Sequence, residues 1–365
     1  MCNHEGYMNL ALSLARRYKG LTHPNPTVGC VIVKRGRIIG LGFHEGAGKP
    51  HAEIIALRMA GREAKDSDMY VTLEPCSHHG RTPPCTEAIV RAGIRRVFVG
   101  VRDPNPLVDG IEYLRSKNIY VKEGILKEEC FSLNMDFFTF VLKGRPYITL
   151  KIAQSMDGSI ATHKGYSKWI TSYESRRYVH RLRSYASAIL VGANTVIKDN
   201  PKLTVRYVDT KKQPLRIIID PSFKTNPDFQ VFNTEEAETL LVVSKPDVNR
   251  EKEFMEREVE VIHIPLEGNF INLKDLLKIL ASRGIINVMV EGGIFTFRKF
   301  IEKNMFDRII IFSAPKFIGG MHLKSEIVSS TEEAINMRIK EVKRIGEDIL
   351  VELLNKKHIT SDQLI

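Results

Sequence analysis

The sequence predicts an α/β protein with two domains, and three observations lead to this fold class. The chain has 365 residues, more than one hydrophobic core usually organises, so two domains are expected. Its hydrophobic and charged fractions, 43% and 27%, are those of a soluble globular protein. Short apolar runs typical of strands alternate with segments of helical periodicity in both halves, which favours sheets covered by helices.

The N-terminal half begins with a predicted helix and a hairpin. Apolar residues at near-helical spacing predict a helix over residues 5–18, and Pro24 and Pro26 place a loop after it. Two short apolar runs, residues 30–33 and 38–43, are separated by a segment that contains Arg35-Gly36-Arg37. This arrangement predicts a β-hairpin.

Strands and helices alternate after the hairpin. The segment HAEIIALRMAG predicts a helix closed by Gly61. The next segments predict strand, helix, strand, helix and strand in turn: MYVTL, PPCTEAIVRAG, RRVFVGV, DGIEYLRSKN and IYVKEG. The pattern weakens over residues 125–145, where KGRP predicts a turn. We therefore place the domain boundary between residues 144 and 145.

The second half, residues 145–365, predicts another α/β domain. Helical spacing marks SYESRRYVHRLRS and LKDLLKILASRG. Strands are expected at YITLKIAQS, SAILVG, LRIIID, TLLVVS, EVIHI and INVMVEGG. The stretches DRIIIFSAPKF and RIKEVKRIGEDILVELL are expected to complete the sheet with antiparallel pairing.

Composition restricts the classes of function. No apolar run resembles a signal peptide or a membrane span, and the odd number of cysteines, five, favours free thiols or metal ligands over a disulfide framework. We therefore expect a cytoplasmic protein that does not bind membranes. The net charge of +11 suits an anionic partner. A phosphorylated small molecule is favoured over nucleic acid, because RNA-binding and zinc-finger patterns are missing; a solvated basic surface is the alternative.

His51, Cys76 and Cys85 form a candidate catalytic zinc site. Catalytic zinc needs a few nitrogen or thiolate ligands and one open position, where bound water becomes acidic. His51 begins a predicted helix and Cys76 follows the strand MYVTL. Cys85 begins another helix, whose N-terminus favours a thiolate there. Glu53, two residues past His51, is expected to move protons without binding the metal.

The spacing of the cysteines departs from the general zinc-deaminase pattern. That pattern is His-x-Glu followed by Pro-Cys-x-x-Cys, whereas the eight residues SHHGRTPP separate Cys76 from Cys85. The alternative interpretation is two unrelated buried cysteines and a surface histidine. His44 is either a fourth ligand or a substrate contact, and its position near the metal histidine favours the substrate contact. His78 is a similar candidate, and the other cysteines are interpreted as inert thiols.

A series of motifs resembles a known enzyme family along nearly the whole chain. HPNPTVGCVIV, HAE, EPCSHHGRTPPCTEAIVRAGIRRV and DPNP resemble the bifunctional deaminase-reductases of riboflavin biosynthesis. RPYITLKIAQSMDGSIAT, SKWIT, VHRLRS, AILVGANTVIKDNP, LTVR and VEGG resemble the reductase domain of that family. The resemblance implies a cytidine-deaminase-like α/β/α domain over residues 1–144 and a dihydrofolate-reductase-like α/β domain over residues 145–365. A classical dinucleotide-binding motif is then not expected.

The resemblance implies two reactions on one phosphorylated pyrimidine. The first is zinc-dependent hydrolytic deamination of 2,5-diamino-6-ribosylamino-4(3H)-pyrimidinone 5′-phosphate, with Glu53 carrying a proton to the departing nitrogen. The second is reduction of the ribosyl group by NADPH, which gives 5-amino-6-ribitylamino-uracil 5′-phosphate. The cofactors implied are Zn²⁺ and NADPH, and a homo-oligomer is expected.

The resemblance also assigns binding residues by matching position. In the deaminase domain these are Asn25, His44 and the loop from His78 to Thr82. Around the reductase substrate they are Lys151, Ser167, Arg183, Leu203, Arg206 and Glu291. Around NADPH they are Ala153, Trp169, Thr195, Asp199, Gly292 and Gly293. The two arginines suit a phosphate, because guanidinium groups match phosphate oxygens; the alternatives are solvated charges for them and a core position for Trp169.

The sequence departs from the family at two places. The family usually has a longer, glycine-containing turn after DPNP than the one in DPNPLVDGIEYLRS, and Asn200 stands where the family commonly has an aspartate.

Two rival functions stand as alternatives. The first rival is an RNA-editing deaminase whose second domain binds RNA, which the cysteine spacing and the second half disfavour. The second rival is a chain with one working domain, which the intact motifs of both halves disfavour.

Overall fold

A computed structural model describes residues 3–79, 83–323, 330–357 and 360–361 of the chain. The protein divides into two compact units, one of residues 1–144 with 359–365 and the other of residues 145–358. Both are α/β, as the sequence predicts. Within the described ranges, no helix combines the length and the hydropathy that a membrane crossing requires.

The first unit is built on a single sheet within the described residues. Its elements are α1 (His4–Arg16), β1 (Gly29–Lys34), β2 (Arg37–Phe43), α2 (Ala52–Ala60), β3 (Asp68–Leu73), α3 (Cys85–Arg91), β4 (Arg96–Val101), α4 (Gly110–Ser116), β5 (Tyr120–Lys122), α5 (Lys127–Leu133) and α6 (Met135–Lys143). The strand order is β2-β1-β3-β4-β5. β1 pairs antiparallel with β2 and β3, and the other pairs are parallel. The predicted hairpin and the alternating elements are confirmed.

Helices α5 and α6 are not predicted from the sequence. They have seven and nine residues, fewer than the window over which helical periodicity becomes visible. Asn134 separates them, and Gly144 in a left-handed conformation ends α6. Both helices bury apolar side chains, among them Phe131 and Phe138. The stretch therefore belongs to the folded first unit rather than to a linker.

The packing of α2 on the sheet fixes the position of its first turn. Ala52, Ala56 and Ala60 are buried in the core between α2 and the strands. They face Gly40 and Gly42 of β2, where an added Cβ would overlap the carbonyl oxygens of Ala56 and Ala52. Helix and strand therefore lie at a distance that only small residues permit. This contact holds the start of α2, with its neighbouring polar residues, against the sheet.

The second unit has a nine-stranded main sheet among its described residues. Its elements are β6 (Tyr147–Ser155), β7 (Ser159–Ala161), α7 (Tyr173–Ser184), β8 (Ala188–Gly192), α8 (Ala193–Asp199), β9 (Leu215–Ile219), β10 (Thr239–Val243), α9 (Val248–Met255), β11 (Glu260–His263), β12 (Leu266–Glu267), β13 (Phe270–Ile271), α10 (Leu273–Ser282), β14 (Asn287–Gly292), α11 (Ile294–Glu302), β15 (Arg308–Ala314), β16 (Met321–His322), β17 (Met337–Ile345) and β18 (Asp348–Asn355). The strand order is β11-β10-β9-β8-β14-β6-β15-β18-β17.

The predicted antiparallel pairing at the end of the sheet is confirmed. β17 pairs antiparallel with β18, and β18 pairs antiparallel with β15, which on its other side runs parallel to β6. The parallel pairing follows from α11, which returns the chain from β14 to the starting edge of the sheet, as crossover helices do. The carboxyl ends of β8, β14 and β6 consequently meet at one edge. Ligands bind at such edges in open α/β sheets.

Candidate zinc site and reductase pocket

The three predicted zinc ligands come together at the ends of three elements. His51 precedes α2 in an extended conformation, Cys76 follows β3, and Cys85 begins α3. His51 Nδ1 lies 3.2 Å from Cys85 Sγ and 3.5 Å from Cys76 Sγ. Their ligand atoms all lie within 4.8 Å of one another. One imidazole and two sulfurs at this spacing fit Zn²⁺ and leave a coordination position open for a water.

The pKa values of the two cysteines are shifted in opposite directions. The pKa of Cys76 is lowered to about 4, because its sulfur accepts a hydrogen bond from the Cys85 thiol and another from His51. The pKa of Cys85 is raised, because its thiol donates to that thiolate and is buried. The sequence analysis expects the N-terminus of α3 to favour the thiolate of Cys85; in the metal-free group, the hydrogen bonds place the lower pKa on Cys76. A divalent cation would displace the remaining thiol proton.

Glu53 is a buried carboxyl beside this group. Its side chain is 3% exposed, and burial together with the nearby Cys76 thiolate raises its pKa to about 7. A carboxyl with this pKa accepts and releases a proton readily near neutral pH. Glu53 therefore has the protonation behaviour that a proton shuttle needs.

A cavity of about 380 Å³ opens at this group. The predicted residues that line it are Asn25, His44, His51, Glu53, Cys76 and His78. Of the predicted loop from His78 to Thr82, residues 80–82 lie outside the described residues. The structure thus brings Asn25, His44 and His78 to one cavity, whereas the exposed His79 of the predicted loop is not among the described residues that line it.

His44 is held by two hydrogen bonds. Its Nδ1 lies 3.2 Å from the carbonyl oxygen of Pro50, and its Nε2 lies 3.1 Å from the side-chain nitrogen of Asn25. A carbonyl only accepts, so Nδ1 carries the proton and Nε2 accepts from Asn25. Burial lowers the pKa of His44, which keeps it neutral. Because both ring nitrogens have protein partners, these contacts argue against His44 as a fourth metal ligand.

Several cavity residues escape the sequence reasoning. They are Lys49, Glu74, Asp103, Asn105 and Phe137. The carboxylate of Glu74 accepts hydrogen bonds from the backbone N–H groups of Asp103 and Ile111, at 3.2 and 2.9 Å. These bonds hold the shortened DPNP turn against β3. The motif DPNP and the glutamate before Pro-Cys were visible signals, whereas Phe137 lies on the unpredicted helix α6.

In the second unit, Lys151, Arg183 and Glu291 form one ion-pair cluster. Arg183 Nε and a second guanidinium nitrogen donate to the two oxygens of Glu291 at 2.5 and 3.0 Å, and Lys151 Nζ lies 3.4 Å from Glu291. Burial alone would raise the pKa of Glu291, but the two cations outweigh it and hold the pKa at about 2. Arg183 is therefore a partly buried charge paired with Glu291, and the solvated-charge alternative is wrong for it.

Arg206 joins this cluster through Thr204. Thr204 accepts from Arg183 at its carbonyl oxygen and from Arg206 at its hydroxyl, at 3.0 and 3.1 Å. The backbone N–H of Arg206 donates to His180 Nδ1 at 2.9 Å. Leu203, the preceding predicted residue, is buried with a φ of 56°. The sequence reasoning missed His180 and Thr204, although His180 lies within the motif VHRLRS.

The predicted cofactor residues cluster at the ends of β8 and β14. An added Cβ on Gly292 would lie 2.8 Å from Thr195 Cγ2, and Gly293 has a φ of 88° at the start of α11. These positions therefore require glycine, because a side chain at Gly292 would meet Thr195 and Gly293 has a positive φ. The hydroxyl of Ser167 donates to Asp199 at 3.3 Å.

The other two predicted cofactor residues lie apart in sequence. Ala153 lies on β6, two residues beyond Lys151. Trp169 is 63% exposed, and the Arg176 guanidinium lies 4.4 Å from its ring centroid. The core alternative for Trp169 is therefore wrong. Asn200, the departure from the family, ends α8 and accepts a hydrogen bond from the Gln230 backbone at 2.8 Å.

Replacing Glu291 with glutamine is expected to remove a pH dependence of stability. The folded carboxyl has a pKa of about 2 against an ordinary value of 4.5, so the unfolded chain binds a proton first as the pH falls. Wild type therefore loses on the order of 3 kcal/mol of stability from this group between pH 4.5 and pH 2, and Glu291→Gln does not. Denaturant unfolding across this range measures the difference. Equal slopes in the two proteins would contradict the assignment, and exposed Glu347→Gln is the control.

The comparisons with known proteins identify both units. Residues 1–101 match the family model of the cytidine and deoxycytidylate deaminase zinc-binding region. Residues 146–351 match the model of the RibD C-terminal domain. The protein is thus a zinc-dependent deaminase joined to a reductase.

Relatives along the full chain narrow this class to one family. The riboflavin biosynthesis protein RibD of Aquifex aeolicus is 53% identical over 95% of this chain and 97% of its own. That of Bacillus amyloliquefaciens is 42% identical over 96% of both. A crystal structure of a diaminohydroxyphosphoribosylaminopyrimidine deaminase/5-amino-6-(5-phosphoribosylamino)uracil reductase from Thermotoga maritima has a TM-score of 0.86 and 38% identity, and covers 96% of this chain and 98% of its own. The chain belongs to the RibD family.

Family membership confirms the predicted function. The protein deaminates a pyrimidine intermediate of riboflavin biosynthesis and then reduces it, and its cofactors are Zn²⁺ and NADPH. The predicted fold classes of the two halves are confirmed as well. An RNA-binding second domain is wrong, because residues 146–351 match the reductase model.

Proposed function

We propose that residues 1–144 carry out the deamination and residues 145–365 the reduction, each with the residues that the sequence analysis assigns. The substrate of the first step is 2,5-diamino-6-ribosylamino-4(3H)-pyrimidinone 5′-phosphate. The observation that carries the proposal is the buried Glu53 next to the group of His51, Cys76 and Cys85.

In the deaminase, His51, Cys76 and Cys85 hold Zn²⁺. The metal supplies an acidified water for hydrolysis when it is bound. Glu53 takes a proton from the water side of the cavity and delivers it to the departing amino group, which its pKa of about 7 supports.

Asn25, His44 and His78 bind the pyrimidine. Neutral His44 accepts from the Asn25 amide, which leaves the amide oxygen of Asn25 as an acceptor for a ring N–H or amino group. His78 lines the same cavity, and the structure gives its buried Nδ1 no hydrogen-bond partner among the described residues. That nitrogen is therefore available to a polar ligand.

In the reductase, Lys151, Arg183 and Glu291 form a charged cluster at the substrate, with Ser167 and Leu203 as further contacts. NADPH supplies the hydride when it is bound. The cofactor is held by Ala153, Trp169, Thr195, Asp199, Gly292 and Gly293. The exposed guanidinium of Arg206 binds the substrate phosphate, because Arg183 is already paired with Glu291.

We infer further that the enzyme is a cytoplasmic homo-oligomer that binds neither nucleic acid nor membranes. A small phosphorylated substrate accounts for the positive charges of Lys151, Arg183 and Arg206 without a polymeric partner. Sedimentation equilibrium tests the oligomer, and a single species of 41.5 kDa would contradict it.

Arg206→Gln is expected to weaken the binding of the phosphorylated substrate of the reductase. We expect the KM for the deaminated ribotide to rise by about 10- to 100-fold, since a charged hydrogen bond contributes roughly 1.5–3 kcal/mol. Steady-state NADPH oxidation measures this, with the dephosphorylated riboside as a second substrate. Exposed Arg177→Gln on α7 is the matched control. An equal loss for riboside and ribotide would refute the phosphate contact.

The activity itself is tested with purified protein and the diaminopyrimidinone ribotide, with and without NADPH. Ammonia release is expected in both cases, and NADPH oxidation only after deamination. Absence of ammonia would contradict the deaminase assignment. Oxidation of NADPH at the full rate before any ammonia appears would contradict the order of the two steps.

A further inference from the structure

We propose that Asn134 is a positioning residue of the deaminase, which holds the loop carrying Asn25 at the edge of the cavity. The proposal rests on the substrate-binding role proposed for Asn25. Asn134 lies between α5 and α6, outside both segments that match family models. Under this proposal, a segment outside both matched ranges helps to shape the deaminase site.

Asn134 binds the backbone of Thr27 in both directions. Its side-chain oxygen accepts from the Thr27 N–H at 2.8 Å, and its side-chain nitrogen donates to the Thr27 carbonyl oxygen at 2.9 Å. Both residues are 1% exposed. An amide is the side chain that satisfies a buried donor and a buried acceptor together. Asn134 thus gives the loop the pair of bonds that a neighbouring β-strand would give.

Hydrogen bonds within the loop of residues 22–27 connect Thr27 to Asn25. The hydroxyls of Thr22 and Thr27 lie 3.0 Å apart, and the Asn25 backbone N–H donates to the Thr22 carbonyl at 2.9 Å. The residues at the tip of this loop, 24–26, line the cavity. Fixing Thr27 therefore fixes the backbone from which the Asn25 side chain extends.

Asn25 in turn connects to the residue before a metal ligand. Its amide nitrogen donates to His44, which donates to the Pro50 carbonyl next to His51. A displacement of the loop would therefore break the Asn25–His44 bond and alter the acceptor offered to the substrate.

The first turn of α6 also contacts Lys19 and His23, near the start of the loop that carries Asn25. Asp136 is 5% exposed, accepts from Lys19 at 2.7 Å, and has an oxygen 3.4 Å from His23 Nε2. Removal of Asp136 would leave a buried cation, so its effects would mix positioning with stability. Asn134 is uncharged and is the better residue to test.

The test is a double-mutant cycle on deamination with the full-length, zinc-loaded protein. Asn134→Leu is expected to lower kcat/KM about tenfold, mainly through KM, because a displaced Asn25 loses one hydrogen bond to the substrate. In the Asn25→Ala background the same change should alter kcat/KM by less than about twofold, since the two residues act through one contact. Zinc content and reduction of the deaminated ribotide report on folding of the two units.

Thr139→Val on α6 is the matched control. Thr139 is buried, and its hydroxyl has no hydrogen-bond partner in the part of the chain that the structure describes. This variant should leave kcat/KM within about twofold of wild type. If Asn134→Leu does not retain zinc, Asn134→Ser replaces it, because the smaller side chain leaves space for a water to bind Thr27.

Three outcomes would overturn the proposal: equal fold-losses from Asn134→Leu in both backgrounds, no loss in either, or the same loss from Thr139→Val. An unaffected Asn25→Ala protein would instead show that Asn25 does not bind substrate, and the positioning role would fail with it. These results are distinguishable, because the single variants separate failure at Asn25 from failure at Asn134.

Discussion

Glu53→Gln is expected to abolish deamination while zinc binding and reduction persist. Glutamine keeps the size and the hydrogen-bonding oxygen of the side chain but has no titratable proton. Loss of general acid–base catalysis lowers kcat by about 10²- to 10⁴-fold. Ammonia release measures the loss, and NADPH oxidation with supplied deaminated ribotide shows that the second unit still works. The variant separates proton transfer from metal binding.

The control for this variant is Glu63→Gln, an exposed glutamate outside the cavity. It should retain the wild-type deamination rate. Retention of more than about a tenth of the activity by zinc-loaded Glu53→Gln would be too much for a residue that carries the proton. Another group would then have to act as the base.

Cys85→Ser is expected to remove zinc and deamination together. Serine is a poor zinc ligand, and the variant leaves one imidazole and one thiolate from the present group of three. Zinc affinity should fall by more than about 100-fold, beyond the loss that removal of an outer-shell partner causes. Metal analysis after dialysis measures zinc per chain, and reduction of the deaminated ribotide should continue.

Cys130→Ser controls for the loss of a buried thiol in the same unit, because Cys130 lies outside the candidate ligand group. It should keep one zinc per chain. A full zinc complement in dialysed Cys85→Ser would disprove the ligand role of Cys85. Loss of zinc from both variants would indicate a general destabilisation of the unit instead.

The sequence predicts the zinc group well because each ligand lies at a recognisable boundary. His51 begins a helix, Cys76 ends a strand and Cys85 begins a helix, and such boundaries are marked locally by prolines and by changes of periodicity. The opposite pKa shifts of the two cysteines were not predictable from the helix rule. They depend on hydrogen bonds between residues nine positions apart, one of which runs from the Cys85 backbone N–H to Cys76 Sγ at 3.4 Å.

The sequence predicts less where contacts depend on topology. Arg183 and Glu291 are 108 residues apart, and they meet because β14 lies between β8 and β6. The resemblance supplied both residues but not their ion pair. Asn134 was missed for a different reason, because α5 and α6 are too short to produce a periodic pattern. Local sequence signals therefore indicated the candidate zinc ligands, whereas the Arg183–Glu291 ion pair and the contacts of Asn134 became visible only in the structure.

The close packing of α2 on β2 has a consequence for how this protein can change over time. A methyl group at Gly42 would overlap the carbonyl oxygen of Ala52, next to His51, and one at Gly40 would overlap that of Ala56, one turn further along α2. Substitution of either glycine is therefore expected to shift α2 on the sheet and to lower both zinc affinity and stability. A survey of natural variants that examined only polar residues near the cavity would overlook them.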